Sequence, residues 1–406
     1  MSNPSQLSAL EYEAESVFGE DVTTFATHRI PVLGPVDLSG LSHDKVEPDR
    51  AVQYRNEISQ SVLMCMGGTI KTKIDLAGHG ATTAGTPTID AIETWLGLVF
   101  GNVASAPAST TSSAGTASAW TTAASATFTA GAMCRLGVLG DGRGNGQFFP
   151  IATHVSTTLT TLVAADAAPS SADVVYGAYT VYGSETPTSA SVSSVRFRGL
   201  TANLRYELHG CYPMSVAFSG LNTGERPQIE ITWAVSWWRY TTGTFPSAVT
   251  SNQYNPAPVA AGSFFLADFG TATRTKRTIR GFSLNFTYGV TPLEGPGGAN
   301  AYQKCVGARR LSDDIRIEWT EDADAATTTP VLPGFATATT YKHACYTLST
   351  TAGSAVGFYF PRLAVTTVPI QMADGNINRL KCTARAGAST TTTSDLTMSA
   401  MRLGLA

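Results

Sequence analysis

The sequence predicts an all-β protein with one flanking helix. Apolar and polar residues alternate in many short runs, which is the pattern of half-buried strands. The 38 glycines and 20 prolines interrupt these runs often, which argues against a coiled coil. Hydrophobic residues make up 43% of the 406 residues. Charged residues make up 14%, against about 25% in an ordinary soluble protein. The chain can therefore bury a large core, but its surface is poor in charge.

One helix is predicted near residues 88–100. Thr86 can cap its first turn, and Pro87 suits the first helical position, where a missing N–H costs nothing. Gly101 provides the stop. The helix is expected to lie against a sheet, although a partner-binding helix is an alternative. Its apolar stripe recurs at helical spacing and consists of Ile89, Ile92, Leu96 and Val99.

Most of the remaining chain reads as strand. Residues 214–218 and 228–240 alternate on either side of a turn at 222–224, which predicts a hairpin. In the second strand Ile229, Ile231, Trp233, Val235 and Trp237 share the core-facing side. Further strands are predicted at 282–288, 315–319, 357–367, 379–386 and 401–405.

A weak internal repeat predicts two domains. The sequence Ile-Glu-Ile-Thr-Trp at 229–233 recurs as Ile-Arg-Ile-Glu-Trp at 315–319. The chain is also about twice as long as a compact β domain. We therefore predict tandem β-sandwich or barrel domains at 1–245 and 246–406, the first carrying the helix and extended loops. Prolines at 246, 256 and 258 mark the boundary.

Two segments are candidates for contacts between subunits or between stacked rings. Residues 94–133 contain no charged residue and are mostly Ala, Ser and Thr after residue 100, which suits disorder or packing against another subunit. Within this region, the low-complexity segment 104–130 is the loop predicted to contact a neighbouring ring. The glycine-rich segment 140–146 precedes a strand, so it predicts a turn and not a phosphate-binding loop. The alternative is a loop that reaches a neighbouring subunit through Gly140, Asp141, Arg143 and Asn145.

The one basic run occupies residues 274–280. It has no interleaved aromatic residues, which makes it a poor single-strand binding surface. We predict that Arg274, Lys276 and Arg277 form salt bridges with an acidic patch on a neighbouring subunit, with residues 11–21 as the natural partner. The net charge of −3 argues against a conventional duplex-DNA binder, which clusters Lys and Arg, but is compatible with DNA that passes a wall to which it does not bind.

No catalytic, metal or cofactor site is predicted. Asp313, Asp314 and Glu318 could serve a hydrolase, but clusters at strand ends are more typical of solvated or contact residues. The pairs His209/Cys211 and His343/Cys345 could meet at a zinc ion, whereas free, half-buried thiols are the simpler interpretation. The first 18 residues do not resemble a signal peptide, and no apolar run is long enough to span a membrane.

Several segments together resemble phage tail tube proteins, specifically the large, two-domain type of long-tailed phages. At the C-terminal end these are Gly-Phe-Tyr-Phe-Pro-Arg at 357–362, the strand at 377–386 and the closing Met-Arg-Leu-Gly-Leu at 401–405. At the N-terminal end, 18–20, 31–34 and 67–74 lead into the helix in a similar way. The resemblance covers most of the chain, although its motifs are patterns of strand edges and not invariant residues.

The resemblance implies a virion structural protein without enzymatic activity. Its expected role is the major tail tube subunit, with three copies forming a ring of pseudo-sixfold symmetry and stacked rings forming the DNA conduit. Expected partners are further copies, tape-measure protein and DNA in the lumen, and tail terminator and distal tail proteins at the ends. The expected location is the virion tail, after synthesis in the host bacterial cytoplasm.

A physical argument agrees with this expectation, and one alternative remains open. A charge-poor β chain with exposed sheet edges is aggregation-prone as a monomer, and ring closure pairs those edges. The alternative is a distal tail, baseplate or capsid decoration protein that binds a partner or a receptor glycan. In that case Trp120, Trp237 and Trp238 would form a sugar-stacking surface.

Overall fold

A computed structural model confirms the all-β class. Within the residues that it describes, the chain forms 24 strands and two short helices. Those residues are 9–20, 29–33, 36–46, 62–76, 91–107, 109–123, 127–137, 146–170, 173–183, 195–201, 204–242, 259, 263–295, 303–322, 341–349, 355–371, 378–389 and 394–406.

Eighteen strands belong to one main sheet. Those before residue 184 are β1 (Ala9–Ala14), β2 (Arg29–Pro31), β3 (Leu41–Val46), β4 (Val62–Asp75), β5 (Gly101–Ala104) and β12 (Tyr179–Gly183). Those after it are β13 (Val195–Thr201), β14 (Leu204–Ser219), β15 (Gln228–Val235), β16 (Trp237–Thr242), β17 (Ser263–Asp268), β18 (Thr275–Arg277), β19 (Ile279–Leu293), β20 (Gly307–Asp322), β21 (Lys342–Thr347), β22 (Val356–Gln371), β23 (Asn378–Ala386) and β24 (Arg402–Leu405).

The central hairpins of the main sheet follow the predicted alternation. β14 pairs with β15, β14 with β19, and β19 with β20, all antiparallel. One row of the sheet therefore joins four buried side chains, which are Ile229, Phe218, Leu284 and Ile317. Such cross-strand rows are the unit of sheet stabilisation. The predicted strand at 228–240 is divided at the buried Ser236, where β15 ends and β16 begins.

The two copies of the Ile-x-Ile-x-Trp repeat occupy equivalent positions in the main sheet. β15 and β20 flank the central β14–β19 pair on opposite sides. A half-turn about an axis between β14 and β19 brings 229–233 onto 315–319, because the two central strands run antiparallel. Strand pairing thus joins segments on both sides of residue 245. The boundary at 245/246 lies outside the described residues and stays a prediction.

The other six strands close into a small barrel in the order β10-β7-β6-β11-β8-β9. They are β6 (Thr110–Gly115), β7 (Ala119–Thr122), β8 (Met133–Leu136), β9 (Phe148–Val155), β10 (Thr158–Thr161) and β11 (Val174–Gly177). The small barrel is inserted into the main sheet, because β5 and β12 on either side of it pair with each other. It has its own core, built from Trp120, Phe128, Phe149, Leu159 and Val175.

The low-complexity segment 104–130 contributes strands β6 and β7 to this barrel and is therefore not one extended loop. Trp120 is fully buried, and its ring meets Phe149 edge-on at 5.2 Å. Few apolar side chains in this segment are enough, because closing the barrel satisfies the backbone hydrogen bonds of both strands.

The predicted helix is confirmed as α1, at Ala91–Phe100. Its buried face packs against the main sheet, where the rings of Trp95 and Trp233 lie 6.0 Å apart. The predicted cap at 86–87 lies outside the described residues. A second helix, α2, is a single turn at Asp395–Met398 capped by Ser394.

Phe148 joins the small barrel to the main sheet at a pair of glycines. Gly357 of β22 and Gly404 of β24 lie opposite each other in the sheet, and the Phe148 ring rests on both. A Cβ built at Gly357 would come within 2.5 Å of the ring, and one at Gly404 within 2.8 Å. Phe148 is buried, so its ring has no room to swing away.

We expect Gly357→Ala to lower the free energy of unfolding by about 1–3 kcal/mol, as overpacking of a dense core does. Gly387→Ala is the control, since a Cβ there meets nothing within 4 Å. That variant should stay within about 0.5 kcal/mol of the parent chain in a denaturant titration. Equal effects at the two positions would show that the Phe148 contact is not the cause.

Candidate functional site

The glycine-rich contact candidates Gly140, Asp141, Arg143 and Asn145 lie outside the described residues. The segment that contains them connects β8 and β9, which pair antiparallel. At its end, Gly146 has a φ of 70° and donates its N–H to the Leu136 carbonyl at 2.8 Å. The predicted role of this segment in contacts between rings stays a prediction.

Arg274 lies inside the chain and not on the surface where the prediction placed it. Its side chain is 4% exposed, and its salt bridge goes to Asp166 of the same chain at 2.9 Å. The guanidinium also donates to Gln147 at 2.8 Å and stacks over the ring of Phe265 at 3.7 Å. Arg274 therefore joins the small barrel to β17 and the turn after it. The proposed acidic partner is also engaged internally, since Glu15 accepts the Gly210 N–H at 2.8 Å.

The other two basic candidates lie on a short edge strand. β18 pairs with β17 through 264–266 and 275–277. Lys276 is exposed, whereas the Arg277 side chain is 10% exposed and lies 3.7 Å from Glu321. Of this group, Lys276 is the residue whose side chain is most available to a neighbour.

Several strands lie at edges of the main sheet, where one side of the strand has no partner strand among the described residues. Among the described residues, β2, β3, β5, β16 and β18 each pair with one strand only. A strand paired on one side presents backbone N–H and C=O groups to any chain that can add a strand. These edges are the part of the fold most suited to association.

The long β19–β20 hairpin carries an exposed leucine on a β-bulge. Gly289 lies opposite Ser312 and Val290 opposite Arg310, so Leu311 has no residue across from it. Its side chain is 68% exposed. A bulge turns the extra residue out of the strand's alternation, which explains why this leucine leaves the core side. Its exposure is not visible in the sequence, because regular alternation would place Leu311 on the same side as Ile315 and Ile317.

The tryptophans proposed as a sugar-stacking surface lie in different environments. Trp120 and Trp237 are buried, and Trp237 stacks on His209 at 4.0 Å, so neither is available to a ligand. Trp238 is half-buried and stacks with Tyr240, which is 60% exposed, at 6.3 Å. An aromatic surface therefore exists on β16, but it is made by Trp238 and Tyr240.

The acidic residues weighed as a hydrolase site are engaged in ion pairs. Asp313 pairs with Arg310, and Asp314 pairs with Arg316 at 2.7 Å and with Arg385 at 3.0 Å. Glu318 lies 3.0 Å from Lys381 on the neighbouring strand. Two of these pairs, those with Arg385 and Lys381, cross to β23, and the other two lie within β20. Such pairs are typical of charged residues along a half-exposed strand.

The two His-x-Cys pairs have separate surroundings. Cys211 and Cys345 are both buried free thiols, and burial raises the pKa of Cys345 to about 12. His343 bonds to the Tyr359 hydroxyl and the Thr271 carbonyl. Within the described residues, no group of three or more His, Cys, Asp or Glu side chains is placed to hold a metal ion.

His343 gives the fold a dependence on pH. Burial lowers the pKa of His343 below its ordinary value of 6.5, although the Thr271 carbonyl and Asp268 partly oppose this shift. The unfolded chain therefore binds a proton more readily than the folded chain. Stability from this group is complete above about pH 6.5 and is lost as the pH falls through the folded-state pKa. We expect the free energy of unfolding to fall between pH 7.5 and 5.

The histidine's share of this pH effect can be isolated with His343→Gln, which should flatten the stability profile measured by urea titration. His154→Gln is the comparison, because the pKa of His154 is also lowered by desolvation but the residue is only half-buried. A profile unchanged by His343→Gln would contradict this assignment.

Comparison with protein families and curated proteins identified no related protein. No family model matches the chain, and no curated protein matches it. Among the described residues, no helix has the length and apolar character needed to cross a membrane.

Proposed function

We propose that this chain is a structural subunit of a phage tail tube and that its copies join through their sheet edges. The main support is the set of strands β2, β3, β5, β16 and β18, each paired on one side only among the described residues. A single sheet with this many unpaired sides is stable in solution when other copies or covering segments complete it.

The long hairpins give the same proposal a second support. β19 and β20 pair over their whole length, but β19 is buried mainly between Phe282 and Tyr288. The last part of the hairpin, 289–293 with 307–311, forms an arm that packs on its own chain through the buried Ala308 and leaves Leu311 exposed. An outward apolar residue on this arm is suited to contact a neighbouring copy.

The ring, its partners and its location follow from the resemblance described above. Three copies with pseudo-sixfold symmetry would enclose a lumen for tape-measure protein and DNA in the virion tail, with terminator and distal tail proteins at the ends. The two repeat segments are related by a half-turn within the chain, whereas a pseudo-sixfold ring requires its domains to be related by a sixth of a turn. The copy number therefore rests on the resemblance and not on this internal symmetry.

Negative-stain electron microscopy of the purified full chain tests the proposal directly. We expect rings or stacked tubes with a central channel, together with a sedimentation profile that shifts with protein concentration. A monodisperse monomer at every concentration and salt tested would overturn the proposal.

A distal tail, baseplate or decoration protein remains the second candidate, because Trp238 and Tyr240 form an exposed aromatic pair. Such pairs stack on sugars and on partner side chains. Glycan binding that is lost in Trp238→Ala and kept in a variant of a remote exposed residue, Val155→Ala, would favour this candidate.

A further inference from the structure

A cavity of about 330 Å³ lies where the small barrel meets the main sheet. The barrel contributes Ile151 and neighbouring Leu162 to its wall, and the turn after β17 contributes Phe269. The main sheet contributes three polar side chains, which are His343, Tyr359 and Arg402. The volume falls at the lower end of the range for small-molecule sites, which is about 300–1,000 Å³.

Arg402 is a buried cation, and none of the described carboxylates forms an ion pair with it. The residue is 1% exposed, and its guanidinium lies 5.2 Å from the Tyr359 ring centre. Its Nη2 donates to the Thr397 carbonyl at 2.7 Å, while Nε and Nη1 have no hydrogen-bond partner among the described residues. Burial lowers its pKa to about 10, so the side chain stays charged at neutral pH.

The other polar groups of the cavity are already engaged. Thr271 offers a carbonyl to His343 Nε2 at 3.0 Å, so that nitrogen carries the proton. The unprotonated Nδ1 then accepts from the Tyr359 hydroxyl at 3.2 Å. Arg402 is therefore the member of this set that keeps unused donors. A buried, unpaired charge is strongly unfavourable unless an anion compensates for it.

We propose that this cavity binds a small organic carboxylate, and that the Arg402 side chain turns its two unused nitrogens, which have almost no open surface in the structure, towards it. The planar guanidinium matches the two oxygens of a carboxylate. The apolar wall formed by Ile151, Leu162, Phe269 and Pro361 suits a carbon body more than it suits a bare inorganic ion. The site borders the turn that leads into β18, but all the residues that line it belong to one copy of the chain, so the proposal does not depend on assembly into a tube.

Equilibrium dialysis of the full chain with radiolabelled benzoate at pH 7 tests the site, with inorganic phosphate as the competing oxyanion. We expect saturable binding of one benzoate per chain, and phosphate should compete at least about tenfold less well. Arg402→Met should weaken benzoate binding at least about tenfold, because the charge and both unused donors are removed. The benzoate affinity of Arg402→Lys should lie between those of the parent chain and Arg402→Met, because lysine keeps the charge but lacks the planar pair of donors.

A second variant tests the cavity without changing its charge. Ala152→Leu places three further carbons in the cavity wall and should also weaken benzoate binding at least about tenfold. Arg362→Met is the matched control, because Arg362 stacks on Tyr341 at 3.8 Å and does not line the cavity. Absence of saturable binding, binding that survives Arg402→Met or Ala152→Leu, or equal binding of phosphate would overturn the proposal.

Discussion

Leu311→Glu should leave the chain folded and stop it from assembling. The side chain is 68% exposed on its bulge, so the monomer loses little when it becomes charged. In a subunit contact, the change removes about 1.5–3 kcal/mol of apolar burial and adds a carboxylate that must be desolvated. We expect the protein concentration needed for assembly to rise at least about 100-fold, as judged by light scattering and electron microscopy.

The control for this prediction is Thr291→Glu. Thr291 is exposed on β19 opposite Arg309, within the same arm, and it receives the same charge. Its thermal unfolding and assembly should both resemble those of the parent chain. If Leu311→Glu forms tubes as readily as the parent chain, this arm is not part of the contact.

Arg274→Ala should give the largest loss of stability among the three basic contact candidates Arg274, Lys276 and Arg277. The change removes the salt bridge to Asp166, the hydrogen bond to Gln147 and the stacking on Phe265. Breaking a buried ion pair costs about 3–5 kcal/mol, and we expect a loss near 3 because Asp166 is 39% exposed and can be hydrated. The loss should appear in urea titrations and as faster proteolysis at the junction between the small barrel and the main sheet.

Lys276→Ala is the matched comparison for Arg274→Ala. Lys276 belongs to the same basic run and is exposed, so its removal should change stability by no more than about 0.5 kcal/mol. Its effect on assembly reports whether the β18 edge meets a neighbour. Equal stability of the two variants would contradict the assignment of Arg274 as a buried link.

Regular alternation was the part of the fold that the sequence could predict. The β14–β15 hairpin, the strand from Phe282 to Tyr288 and helix α1 are as expected, because their apolar residues follow one period without interruption. The small barrel could not be predicted from the same signal. Its strands are short and rich in Ser, Thr and Ala, and closure of the ring of strands, a non-local event, decides their structure.

In the candidate site, the local sequence pattern does not predict which side chains are buried and which are exposed. Arg274 and Lys276 are two residues apart in one basic run, yet one is buried and the other exposed. The neighbours that bury Arg274 are Gln147, Phe149 and Asp166, which are remote in sequence. A bulge turns Leu311 away from the side of β20 that regular alternation predicts. The role of Arg402 cannot be inferred from the sequence, because a single arginine in an apolar strand matches no binding motif.

The small barrel is an insertion between two paired strands of the main sheet. Because Ala104 and Thr180 are backbone partners, the chain departs from β5 and returns on β12 at neighbouring points. A short linker could bridge that gap without changing the path of any other strand. A different domain could be inserted at the same junction, provided that one of its aromatic side chains packs against Gly357 and Gly404 in place of Phe148.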